Sequence, residues 1–268
     1  MDQGLLLQNN EDFWNGFNDA VVRRRDWHVQ SFDHICIEDA FKNDVTLYEA
    51  NARQRRDFEH RRHVAERMRH DPEAWSHFVV SASREVALNR SGPGTDFLKG
   101  AHLMPAFQDF IVHTQHFQVV LQCMQQKGHP VVIMGQHGCG VHDIDKLDPA
   151  MLVGYSERWE DMKDTSLWKA CLLSHYATNV HHQQNPIWQH LPDLMVEDVT
   201  GASPATSDDP RLKAMPELLC DKVSRKLQKE LGGRVSSTMW HLERKFFIGM
   251  QDYYYAYAER LAKALEKS

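Results

Sequence analysis

The residues best suited to chemistry are His142 and Asp143, followed by Lys146 in the run His-Asp-Ile-Asp-Lys-Leu-Asp-Pro. An imidazole and a carboxylate on adjacent positions at a helix start can bind one hard or borderline cation. On a helix, Lys146 lies one turn beyond His142 and returns to the same face, where its ammonium can meet an anionic substrate. Two adjacent residues do not complete a coordination sphere, so further donors must converge from elsewhere. On a helix advancing about 100° per residue, His175, Asn179 and His182 share one face. His181 points away from it unless the last turn loosens before Pro186. Asn179, one turn from each histidine, suits orienting a ligand or binding substrate better than coordination. His113 and His116 neighbour one another on a second helix, and periodicity alone favours neither. Asp221 lies on a third, which the Met215-Pro216-Glu217 run opens.

The elements that must position these groups read as helices. Phe13, Trp14, Phe17, Ala20 and Val21 recur at three- and four-residue steps, which is one apolar helical face. Residues 46–70 are polar, with arginines from Arg53 to Arg69 interleaved with Asp57, Glu59 and Glu66. Such a run reads as a solvated face or as a docking surface for an acidic partner. The Ser91-Gly92-Pro93-Gly94-Thr95-Asp96 stretch is the strongest punctuation and divides an N-terminal helical extension (1–96) from a main domain (97–268). Pro105 opens a helix that Gly128 ends near Lys127. Asp148-Pro149 is an N-cap followed by proline at the first helical position, giving a helix through Trp159. Further helices are expected from Leu167 to about Gln184, from Pro216 to about Leu231, and from Val235 to the end, with a loop over Gly201 to Pro210. The expectation is an all-α protein.

Composition narrows the function classes. At 268 residues the chain can bury a large core, and a formal net charge of -6 argues against general nucleic-acid binding. Its five cysteines are scattered without a Cys-x-x-Cys pair, which suits reduced thiols rather than a disulfide framework or zinc finger. Cys139 with His137 and His142 lacks the second cysteine of a thiolate site. The Leu5-Leu6-Leu7 run is too short for a signal peptide, and no window reaches the roughly 20 apolar residues of a membrane span. A cytoplasmic location is expected. No phosphate-cradling glycine loop or nucleophile elbow is present.

The order His, then His-Asp, then His and His, then Asp resembles the HD-domain superfamily of metal-dependent proteins. In its two-metal branches, which include cyclic-dinucleotide phosphodiesterases and the myo-inositol oxygenase group, a His-Asp-x-Gly-Lys segment is similar to residues 142–146. The chain resembles more closely a small uncharacterised family of bacterial and viral HD-like proteins. The matching pieces are His142-Asp143-Ile144-Asp145-Lys146, the run His175 to His182 with Asn179 and His181-His182, and Met215-Pro216 with Asp221. That family's early His, followed twelve residues later by Gly, corresponds to His116 and Gly128. The resemblance spans about residues 110–225. Departures are the longer segment before His142, containing Gln136-His137-Gly138-Cys139, and the Gly201 to Pro210 loop.

The resemblance implies an HD-like helical bundle in which His116, His142, Asp143, His175, His182 and Asp221 bind one or two divalent ions. Nitrogen and oxygen donors suit iron, manganese or zinc. His181, Asn179 and His113 are alternative ligands or supporting groups. Lys146 and Asp143 would be the catalytic residues of a phosphohydrolase acting on a small phosphorylated substrate. A di-iron oxygenase cleaving a small hydroxylated substrate is the alternative reaction, and a non-catalytic helical interaction protein is the third reading.

Overall fold

The structure is a computed structural model that describes residues 11–23, 52–134, 140–159, 165–190, 208–247 and 250–267. Expectations about Leu5 to Leu7, Cys36, Gln136 to Cys139 and the Gly201 to Ser207 part of the loop lie outside these residues. Among the described residues every regular element is helical, and none is a strand. No helix among them is long and apolar enough to cross a membrane. The chain forms two compact units, each assembled from separate segments: Val112–His142 with Tyr176–Ser268, and Glu11–Ile111 with Asp143–His175.

The second-named unit is built from α1 (Glu11–Arg23), α2 (Ala52–Arg69), α3 (Pro72–Ala87), α4 (Pro93–Gly100), the start of α5 (Met104–Gln126), α6 (Pro149–Trp159) and most of α7 (Ser166–Thr178). α1 buries Trp14, Phe17, Ala20 and Val21, the stripe its sequence spacing requires. Asp71 caps α3 by accepting the Ala74 amide at 3.0 Å, with Pro72 at the start of the helix. The Ser91 to Asp96 punctuation is a tight corner inside this unit. Glu85 accepts the Gly94 and Thr95 amides at 3.3 and 2.7 Å, and a side chain at Gly94 would collide with the backbone of Ala82.

The arginine-rich helix α2 is not uniformly solvated. Arg61 and Arg62 are buried. Arg62 donates to both oxygens of buried Glu157 on α6, at 3.0 and 3.4 Å, and Arg61 donates to the His102 carbonyl at 3.3 Å. Burial pushes the Glu157 carboxyl up, and Arg62 opposes that push. Helix polarity alone hid this pair, because its acidic half lies 95 residues further along the chain.

The first-named unit centres on the rest of α5, α9 (Pro210–Lys229) and α10 (Asp252–Lys267), with the single turn α8 (Ile187–His190). Phe117, Val120 and Met124 pack with Leu218, Leu219, Val223 and Leu227, and with Tyr257, Leu261 and Leu265 in one core. Each fully buried large apolar side chain is worth roughly 1.5–3 kcal/mol of transfer free energy. α5 ends where Gly128 takes φ 78°.

The starts of α9 and α10 differ from the sequence expectation. α9 starts at Pro210, because Asp209 accepts the Arg211 amide at 2.8 Å and Pro210 occupies the first turn. Pro216 therefore lies inside the helix. At the other end, residues 237–247 form two 3-10 turns, so α10 starts only at Asp252.

Candidate metal centre

His142 ends one segment of the first unit and Asp143 begins a segment of the second, so His142 and Asp221 belong to the first unit and Asp143 and His175 to the second. In the first unit α5 supplies His113, α9 supplies Glu217 and Asp221, and loops supply His142 and His181. Glu217, Asp221 and Ser224 lie one turn apart along the same side of α9. Asp221 Oδ1 stands 3.1 Å from His113 Nε2 and 3.6 Å from His142 Nε2. The His113 contact is short, yet it lies off the hydrogen-bonding direction. For an ion with bonds of about 2.0–2.1 Å, tetrahedral donors stand about 3.3 Å apart, which lies between these two distances.

The supports around these donors are specific. His142 Nδ1 donates to Glu217 Oε1 at 2.9 Å, and Glu217 Oε2 accepts the Met134 amide at 2.7 Å. Phe117, one turn after His113, lies flat on the His142 ring with centroids 4.1 Å apart and planes 7° apart. Burial, reinforced by Arg225, lowers the His113 pKa to about 3, so its imidazole is neutral and carries a lone pair. Burial alone would raise Glu217, but His181 and His142 bring it down to about 2. Asp221 is likewise held well below the usual carboxylate range, with Lys222 and the two histidines overcoming its burial. Lys222 Nζ sits 3.0 Å from Asp221 Oδ2.

His181 reaches this cluster because α7 stops at Thr178, earlier than expected, and the face rule for a regular helix no longer applies. Asn185 donates to the Tyr176 and Ala177 carbonyls at 2.9 and 2.8 Å, closing the helix end. Trp188 Nε1 donates to the Val180 carbonyl at 2.8 Å and fixes the next stretch. His181 Nδ1 then lies 3.3 Å from Glu217 Oε1, with its ring 4.6 Å from that of His142. His182 is half-buried and packs on His181 and Tyr176. Asn179 is buried and its carbonyl accepts the His182 amide at 3.1 Å.

His116 belongs to no close donor group among the described residues. Three residues after His113, it is rotated off the cluster-facing side of α5. Its Nδ1 donates to the Val112 carbonyl at 2.7 Å, and its Nε2 faces Gly233. The spacing to Gly128 selects His116, whereas the helix brings His113 to Asp221.

In the second unit Asp143, Asp145 and His175 form a buried group. Asp143 takes the left-handed conformation, φ 56°, and starts a 3-10 turn over Ile144–Leu147 rather than an α-helix. In a 3-10 turn residues three apart eclipse, so Lys146 stands over Asp143. Its Nζ donates to Asp143 Oδ2 at 2.7 Å and lies 5.1 Å from the Tyr155 ring centre. His175 Nδ1 donates to Asp145 Oδ2 at 2.6 Å, and its Nε2 lies 3.7 Å from Asp143 Oδ1. α7 approaches α6 closely because residue 154 is glycine: a Cβ there would fall 2.7 Å from Cys171 Sγ. Asp148 caps α6 by accepting the Ala150 amide at 3.2 Å.

Glu217 and Asp145 were not singled out from sequence. Glu217 lies four residues before Asp221, a spacing that puts both carboxylates on one helix face and could have marked it. Compared with known proteins, the chain matches no family model, no curated protein and no solved structure. The buried groups of His, Asp and Glu are close enough to hold a metal ion.

Proposed function

We propose that this chain is a metal-dependent phosphohydrolase of the HD-like type, in which His113, His142 and Asp221 hold a divalent ion. The observation that carries the reading is the convergence of two imidazole Nε2 atoms on one carboxylate oxygen, at 3.1 and 3.6 Å, in a buried setting. A buried cluster of this kind is costly unless its charge is compensated, and a cation compensates it. The donor set fits such an ion: neutral imidazoles and a carboxylate suit zinc, manganese or iron(II). When bound, the metal supplies Lewis acidity and a hydroxide nucleophile from water at neutral pH.

The chain's own groups do the rest. Glu217 orients His142, Phe117 keeps its ring from turning, and Lys222 shares the charge of Asp221. In its own unit Lys146 donates to Asp143 Oδ2 at 2.7 Å, and the HD-like resemblance assigns that ammonium to phosphate oxygens.

Elemental analysis of the purified protein, followed by assay against phosphate mono- and diesters, tests this. Bound zinc, manganese or iron near one or two equivalents and ester hydrolysis abolished by His113→Ala are expected. A chain that carries metal but consumes dioxygen with a polyol and leaves phosphate esters intact would overturn the hydrolase assignment. A chain that takes up none of these ions would overturn the centre itself.

A further inference from the structure

We infer that Glu217 is a positioning residue that sets the tautomer of the His142 imidazole. The inference deepens the metal-binding reading above and takes its functional consequence from it. Glu217 Oε1 lies 2.9 Å from His142 Nδ1 and 3.3 Å from His181 Nδ1, while Oε2 accepts the Met134 amide at 2.7 Å. Both carboxylate oxygens thus act as acceptors, so the His142 ring must present its proton at Nδ1, whereas the His181 contact lies off the hydrogen-bonding direction. The lone pair of His142 then sits on Nε2, on the side away from Glu217. That side faces Asp221 Oδ1 at 3.6 Å, and Asp221 is one helical turn beyond Glu217. One buried carboxylate therefore presents a ring nitrogen as a donor to a cation before any cation arrives, which lowers the reorganisation that binding requires.

Glutamine cannot reproduce this arrangement. Its single acceptor oxygen must face either the Met134 amide or His142 Nδ1, and its NH2 group is left against a donor on the other side. Relief comes when an imidazole moves its proton to Nε2, the atom a metal needs.

The test uses the full-length protein, stripped of metal and labelled with ¹⁵N at histidine. Ring tautomers are read by long-range ¹H–¹⁵N correlation, with the His142 peaks identified from the spectrum of His142→Ala. The wild type should show the His142 ring protonated at Nδ1, and Glu217→Gln should convert it to the Nε2–H form. Zinc affinity, from competition with a chromophoric chelator, should fall about 10- to 100-fold in Glu217→Gln while the circular dichroism spectrum is kept. A His142 ring protonated at Nε2 in the wild type overturns the inference, a result that stands even if Glu217→Gln fails to fold. Zinc affinity within about threefold of wild type in a folded Glu217→Gln protein also overturns it. A wild type with the Nδ1–H tautomer at His142 but no zinc affinity supports the positioning of the ring and sinks the metal-binding reading alone.

Discussion

The two buried clusters use the same residue types in different arrangements. In the unit holding Asp143, charges are answered locally: Lys146 covers Asp143, His175 donates to Asp145, and Arg62 covers Glu157. In the unit holding Asp221, Lys222 covers one carboxylate oxygen while two ring nitrogens crowd the other, and burial keeps His113 neutral. The difference teaches that composition does not identify a cation site. What matters is whether the acceptors already have protein cations and donors aligned on them or converge where alignment is poor.

The largest effect should come from breaking the local compensation. Arg62→Ala removes the partner of a fully buried carboxylate and should cost about 3–5 kcal/mol in denaturant unfolding, with zinc affinity of the folded protein preserved. Burial already raises the Glu157 pKa, so its folded form binds a proton more strongly than its unfolded form. The cost should therefore shrink as pH falls and Glu157 becomes neutral. A penalty that grows toward acid pH would contradict that sign.

A smaller loss is expected for Lys146→Ala. Its Nζ is partly accessible, but Asp143 is buried, so about 1–3 kcal/mol should be lost from the thermal or denaturant midpoint. Lys146→Arg should recover part of that loss by keeping the charge. No loss at all in Lys146→Ala would mean that Asp143 is stabilised by other groups.

The smallest effect sharpens the choice between neighbouring histidines. His116→Ala should leave zinc affinity within about threefold, whereas His113→Ala should lower it by about two orders of magnitude or more. Equal losses in a chelator competition would remove the distinction drawn from the geometry of α5.

Much of the helical architecture was legible in the sequence because its signals are local. The stripe from Trp14 to Val21, the stop at Gly128 and the Asp148-Pro149 cap each depend on a few neighbouring residues. Asp209-Pro210 carries the same cap signature, but its place at the end of a Ser-, Thr- and Pro-rich stretch made it read as loop. Of the candidate site, His142, Asp143, His175 and Asp221 were marked from sequence order, although their clusters depend on tertiary structure. His181 was ranked below His182 by extending α7 past Thr178, and the 3-10 turn that aims Lys146 at Asp143 has no spacing distinct from a helix start. Glu217 was passed over for a different reason. An acidic residue on an amphipathic helix is ordinarily exposed, so its four-residue spacing to Asp221 carried little weight until the tertiary approach of His142 gave it work.

The most direct test of the central claim is zinc binding by metal-stripped full-length protein, comparing wild type with Asp221→Asn by chelator competition. Asparagine keeps the volume of the carboxylate but removes the charge on which His113 and His142 converge. Stoichiometric binding by the wild type, weakened at least about 100-fold in Asp221→Asn without loss of helicity, is the predicted result. Equal affinity in the two proteins, or no binding by the wild type, would contradict it.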